Sequence, residues 1–158
     1  MKKSPFSLLV LLIYLPSMAV GEKNWQFSFD VALTTHFGLE RSPGLGLGLG
    51  LQNTLFKNFF VEGMVSFHPD LYGGMHDTLE MGLGFGNKFP VKKKVKLFFS
   101  LGAEYLRSRW TKTLGVSGGA GIEWFFEKSS GLRTGMTLEI NGGEKTYLKY
   151  FAGLFIRF

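Results

Sequence analysis

Few residues in this chain have the types and spacing to do chemistry. The histidines are His36, His68 and His76; Asp70 and Asp77 flank the latter two, and Ser42 and Thr78 offer hydroxyls. A histidine oriented by a carboxylate can activate a hydroxyl as a nucleophile, so His36 or His76 with Asp77 and a nearby Thr78 or Ser42 is one candidate set. His68, Asp70, His76 and Asp77 are also admissible ligand types for a borderline cation, but their spacing follows no recognised metal motif. In turn-rich sequence these side chains serve as polar loop residues. The expectation is therefore no catalytic residue, no metal and no cofactor.

A second group is larger and more orderly. The acids Asp30, Glu62, Glu80, Glu104, Glu123 and Glu139 and the bases Lys96, Arg133, Lys149 and Arg157 each sit between two apolar or small residues, at alternate positions of an extended pattern. Adjacent runs bring Glu123 opposite Arg133 and Glu139 opposite Lys149, and pairing of this kind relieves the cost of a buried charge. A third group, Arg107, Arg109 and Lys112 around Trp110, is basic and aromatic. Arginine grips phosphate through two parallel hydrogen bonds. The Leu-Gly alternation of residues 45–51 is no phosphate loop, because it lacks both the strand-to-helix setting and the Lys-Ser/Thr ending.

The elements that position these residues are legible. Met1-Lys2-Lys3, an apolar stretch over 6–15 and Pro16-Ser17-Met18-Ala19 have the order of a secretory signal peptide. The stretch is far short of the ~20 residues of a spanning helix, so residues 1–21 are expected to be removed, with the cut after Ala19 or Gly21. Residues 22–158 are expected to form one domain. Removing Lys2 and Lys3 lowers the net charge from +6 to +4, and the chain has no cysteine. Disulfide stapling is thereby excluded, and the mild, scattered positive charge suits anionic headgroups better than nucleic acid.

From residue 25 onward, side chains alternate with a period of two in eight runs. Trp25, Phe27, Phe29, Val31 and Leu33 share one face of the first run, and Leu45, Leu47, Leu49 and Leu51 one face of the second. The sixth sets Leu114, Val116, Ala120, Ile122 and Trp124 against Gly115, Ser117, Gly119, Gly121 and Glu123. The last sets Tyr150, Ala152, Leu154, Ile156 and Phe158 against Lys149, Phe151, Gly153, Phe155 and Arg157. The connections fall at 38–44, 52–58, 68–77, 87–94, 106–113, 126–131 and 141–146, short enough that consecutive runs form antiparallel hairpins.

Which face meets water follows from the non-apolar side. It is mostly glycine with one or two charges per run, a poor solvent face and a good crowded interior. An eight-stranded barrel has a lumen just wide enough for side chains to fill, and glycines beside Phe98, Phe125, Phe151 and Phe155 let large and small groups interleave. Aromatic residues near the run ends, Trp25, Phe59, Phe85, Trp124 and Phe158 at one end and Phe67, Tyr105 and Tyr150 at the other, match the girdles of a membrane barrel. The expected fold is all-β: an eight-stranded antiparallel up-and-down transmembrane β-barrel following a cleaved signal peptide. A soluble barrel with a lipocalin-like cavity shares the period but not the glycine-rich face.

The terminal stretch Tyr150 to Phe158, with apolar residues at every second position and a final phenylalanine, looks like the closing strand signal of bacterial outer-membrane barrels. With the leader and the eight runs, the chain resembles the small eight-stranded outer-membrane family of the OmpA-transmembrane, OmpX and opacity type. That resemblance implies location in the outer membrane, reading of Tyr150, Ala152, Leu154, Ile156 and Phe158 by the barrel assembly machinery, and a monomer in contact with lipid and lipopolysaccharide. Arg107, Arg109 and Lys112 then become candidates for lipopolysaccharide phosphates, and nucleic acid is not an expected partner. The leading function is a non-enzymatic barrel with a structural or surface-interaction role. Two alternatives are a lipid A modifying enzyme, with His36, His76 and Asp77 imitating the His, Asp, Ser set of a related acyltransferase, and a narrow channel or carrier of a small apolar ligand. The related deacylase type implies a late Asn-His-x-Ser motif, which this sequence lacks.

Overall fold

The computed structural model describes residues 24–36, 44–69, 77–108, 112–142 and 145–158. The expected signal peptide at 1–21, with Ser42, Asp70, His76 and Arg109, lies outside these residues. The alternating runs form eight strands: β1 (Trp25–His36), β2 (Gly44–Phe56), β3 (Phe59–His68), β4 (Thr78–Lys92), β5 (Val95–Arg107), β6 (Lys112–Phe125), β7 (Ser130–Asn141) and β8 (Lys145–Arg157). Each strand pairs antiparallel with the next, and β1 pairs with β8 to close the barrel. Phe158 completes the seam, its N–H donating to the Trp25 carbonyl at 3.0 Å. Closure leaves no strand edge along the wall, the condition for placing a sheet in hydrocarbon.

Several strands run further than composition alone suggests. β2 continues through 52–56 and β4 through 87–92, so the connections there shrink to the two-residue turns Lys57–Asn58 and Lys93–Lys94. Lys57 takes a positive φ of 49°, as the tight hairpin turns that match strand twist require. These turns lie at the end of the barrel that holds the start of β1 and the end of β8, here called the terminal end; the opposite end is the loop end.

Facing is uniform around the wall. Leu83 and Leu101, near the middle of their strands, and Leu154, nearer the terminal end of β8, are 53 %, 59 % and 58 % exposed, whereas Phe60 and Phe155 on the other face are each 1 % exposed. The outside is thus an apolar band and the inside a packed column. Outward aromatic rings gather at the terminal end: Phe56 stacks on Phe59 at 5.3 Å between centroids, Phe59 lies 6.2 Å from Phe85, and Trp124 lies 6.3 Å from Phe126. Inside, glycine makes room for rings. A Cβ at Gly121 would stand 2.5 Å from Phe98 Cζ, and one at Gly86 the same distance from Phe60 Cζ.

Candidate functional site

The lumen collects every acid and base of the alternating set, in three levels. At the terminal end Glu123 on β6 is buried and accepts from Lys88 Nζ at 2.7 and 2.9 Å, from Gln26 Nε2 at 2.8 Å and from an Arg157 Nη at 3.4 Å. Gln26 Oε1 in turn accepts from Lys88 Nζ at 3.1 Å and Arg157 Nε at 3.0 Å. Rings seal this level: the Arg157 guanidinium lies 4.5 Å from the Phe125 centroid, Lys88 Nζ lies 5.4 Å from that of Phe60, and Lys96 Nζ lies 5.6 Å from that of Phe125. Cations held over aromatic faces are stabilised by the ring quadrupole.

The middle level is centred on Arg133. Its guanidinium reaches Glu62 at 3.6 Å and Asp30 at 4.0 Å, donates to Ser28 Oγ at 3.3 Å, and lies 5.2 Å from the ring centroids of both Phe98 and Phe151. Toward the loop end, Lys149 Nζ donates to Glu80 at 2.5 Å and forms an ion pair with Glu139. His68 Nε2 lies 3.2 Å from both Glu80 Oε2 and Ser66 Oγ, and Glu104 is buried beside this cluster. Between the middle and loop levels is a cavity of about 70 Å³, lined among others by Asp30, Glu62, Glu104, Arg133 and Lys149.

Two expected partnerships come out differently. Glu139 does pair with Lys149, but Glu123 and Arg133, although opposite in register, do not pair with each other. Glu123 is taken by Lys88 and Arg157, and Arg133 turns across the lumen to Glu62 on β3 and Asp30 on β1. Lys88 was hidden in an expected connection, and it is the cation in closest contact with Glu123. His68, expected in an outer connection, is the last residue of β3 and faces inward.

The arrangement of Ser66, His68 and Glu80 has the residue types of an acyl-transfer site but not its wiring. A working triad uses one ring nitrogen for the hydroxyl and the other for the acid. Here both contacts fall on Nε2, while Nδ1 packs over Gly46, where a Cβ would collide with it. Of the other candidates, His36 ends β1 and Thr78 begins β4, three strands away around the wall. Arg107 and Lys112 are exposed and opposite each other in the β5–β6 register at the loop end. Tyr150, Ala152, Leu154, Ile156 and Phe158 all face outward on or just past β8.

A closed eight-stranded wall, apolar outside and filled with paired charges inside, defines the fold class of the small outer-membrane β-barrels. No family model matches the sequence, and no curated protein matches it. Solved structures do. Neisserial surface protein A superposes with a TM-score of 0.68 at 11 % identity, over 87 % of this chain and 98 % of that one. The N-terminal β-barrel domain of Pseudomonas aeruginosa OprF gives 0.65 at 10 % identity, over 84 % and 97 %. Ail, the attachment invasion locus protein of Yersinia pestis, in complex with the heparin analogue sucrose octasulfate, gives 0.60 at 14 % identity, over 85 % and 97 %. At such identities the likeness is one of fold.

Proposed function

We propose that this chain is a non-enzymatic, monomeric barrel of the bacterial outer membrane, exported through its cleaved leader and inserted by the barrel assembly machinery, whose outer rim binds lipopolysaccharide. The observation that carries this reading is the inverted facing: a continuous apolar exterior around a lumen that holds the buried charges, most of them paired with one another. With an even number of strands both termini lie on the periplasmic side, which puts the loop end outside. There Arg107 and Lys112 stand side by side and exposed, placed to meet phosphates with charge-assisted hydrogen bonds. Ail, of the same fold, has been solved with a sulfated polyanion, which supports anion contact at such a barrel.

The test has two stages. Fractionation should recover the protein in the outer membrane with a gel mobility that changes on boiling. The purified barrel should then bind lipopolysaccharide micelles, and Arg107→Ala with Lys112→Ala should weaken that binding and flatten its dependence on salt, because rim contacts are screened. Recovery in the soluble periplasm would sink the location. Unchanged binding in the double variant would sink the role of the rim.

A further inference from the structure

The loop half of the lumen carries more negative charge than its own cations cancel. Glu80, Glu104 and Glu139 each present a carboxylate oxygen within 4.8 Å of the other two, and all three are buried. Lys149 bridges Glu80 and Glu139, and His68 lies against the second oxygen of Glu80. Glu104 touches neither cation: it is 2 % exposed, neither carboxylate oxygen makes a hydrogen bond of good geometry, and the groups beside it are the Ser117 hydroxyl and the Glu139 carboxyl. A buried carboxylate left charged and alone is strongly unfavourable, so either a proton or a counter-charge has to meet it.

A second, uncharged group points to the same place. Asn141 is 5 % exposed, and its Oδ1 is buried with no partner. The register accounts for its aim: Glu104 on β5 faces Gly115 on β6, and Gly115 faces Asn141 on β7. Gly115 has no side chain, and Asn141 Oδ1 fills the space where a Cβ would stand. The amide oxygen is therefore held over the single lumen position that separates it from Glu104.

We propose that the loop half of the lumen binds one divalent cation, ligated by Glu104, Glu139 and Glu80 together with the amide oxygen of Asn141. With His68 neutral and the three carboxylates ionised, the Lys149 ammonium leaves two negative charges, which one such ion cancels. The donors are all oxygen, the preference of a hard cation, and oxygens this close can share an ion at the ~2.3–2.6 Å of calcium bonds after small rotations. Calcium tolerates irregular shells where magnesium demands a near-ideal octahedron. The adjoining cavity of about 70 Å³ supplies water ligands, each needing roughly 10–15 Å³ of such space.

The experiment is calorimetric titration of the mature barrel, refolded in a zwitterionic detergent free of lipopolysaccharide, with calcium chloride and separately with magnesium chloride. Expected are one calcium per chain with a Kd of about 10⁻⁴–10⁻³ M, weaker magnesium binding, and a melting temperature higher in calcium than in EDTA. Glu104→Gln should weaken calcium by about tenfold or more, equivalent to at least ~1.4 kcal/mol. Asn141→Ala, which keeps every charge, should weaken it as well, and Glu127→Gln in an exposed turn should not. If the wild-type barrel shows no saturable binding up to about 10 mM, ten times the weakest affinity expected, the cluster is neutralised by protons and the proposal fails. Calcium binding undiminished in both Glu104→Gln and Asn141→Ala would overturn it equally.

Discussion

Replacing Glu123 by glutamine tests the claim that the lumen is held by specific charge pairing. The change is nearly isosteric, so its effect is electrostatic. Glu123 lies within hydrogen-bond reach of Lys88, Gln26 and Arg157, and Lys88 is itself buried. Glutamine would remove the counter-charge and point an amide N–H₂ at an ammonium. Breaking one partner of a buried pair costs about 3–5 kcal/mol, a large share of the ~5–15 kcal/mol that holds a typical domain. The assay is reversible urea unfolding in lipid vesicles, followed by the fluorescence of the three tryptophans. Lys88→Met in the same chain removes the stranded ammonium, and because replacing a whole buried pair with apolar groups is often near neutral, the double variant should recover at least about half of the loss. Glu127→Gln, at an exposed turn, should stay within about 0.5 kcal/mol of wild type. A Glu123→Gln loss below about 1 kcal/mol, or a Lys88→Met change that deepens the loss, would refute the pairing.

Leu101→Arg places a charge on the outer wall midway along β5, and the same vesicle assay should show about 2–4 kcal/mol of destabilisation; a near-neutral result would mean that this face does not meet lipid. Gly121→Ala drives a methyl group into the Phe98 ring and should cost about 1–3 kcal/mol, whereas Gly48→Ala, whose Cβ would meet Ser66 Cβ at an ordinary 3.6 Å, should be near neutral when both melting temperatures are compared. Planar-bilayer recordings of the wild-type barrel should show no repeatable openings, since rings and paired ions occupy the lumen; steady unitary steps would favour the channel reading instead.

Facing was easier to read than partnership, and the reasons are geometric. The period of two puts every acid and base of the alternating set on one side, because a one-residue slip would expose all of them to the opposite environment. Strand limits were harder, and the extension of β4 shows why. Lys88, Pro90 and the lysines after it have turn composition, yet the strand continues because of where Pro90 falls. The Lys88 N–H donates to Asn58, toward β3, so Pro90, two residues on, aims its missing donor at the same edge. β3 begins only at Phe59, opposite Asn87, so no ladder partner is there to be lost, and the strand carries Lys88 into the lumen as the principal partner of Glu123.

Ion-pair partners escaped the sequence for a related reason. Matching neighbouring strands finds Glu139 with Lys149 but not Arg133 with Glu62 or Lys149 with Glu80, which join strands on opposite walls. In a barrel of eight strands the lumen is narrow enough for one long side chain to cross it, so a base chooses among carboxylates by height along the axis rather than by strand adjacency. Height depends on the stagger between strands, which the turns Lys57–Asn58 and Lys93–Lys94 fix and no single strand reveals. The same stagger brings Glu80, Glu104 and Glu139 together from β4, β5 and β7, three carboxylates that the sequence keeps at least 24 residues apart. Alternation could place each of them inside, but only the closed register could place them around a single point.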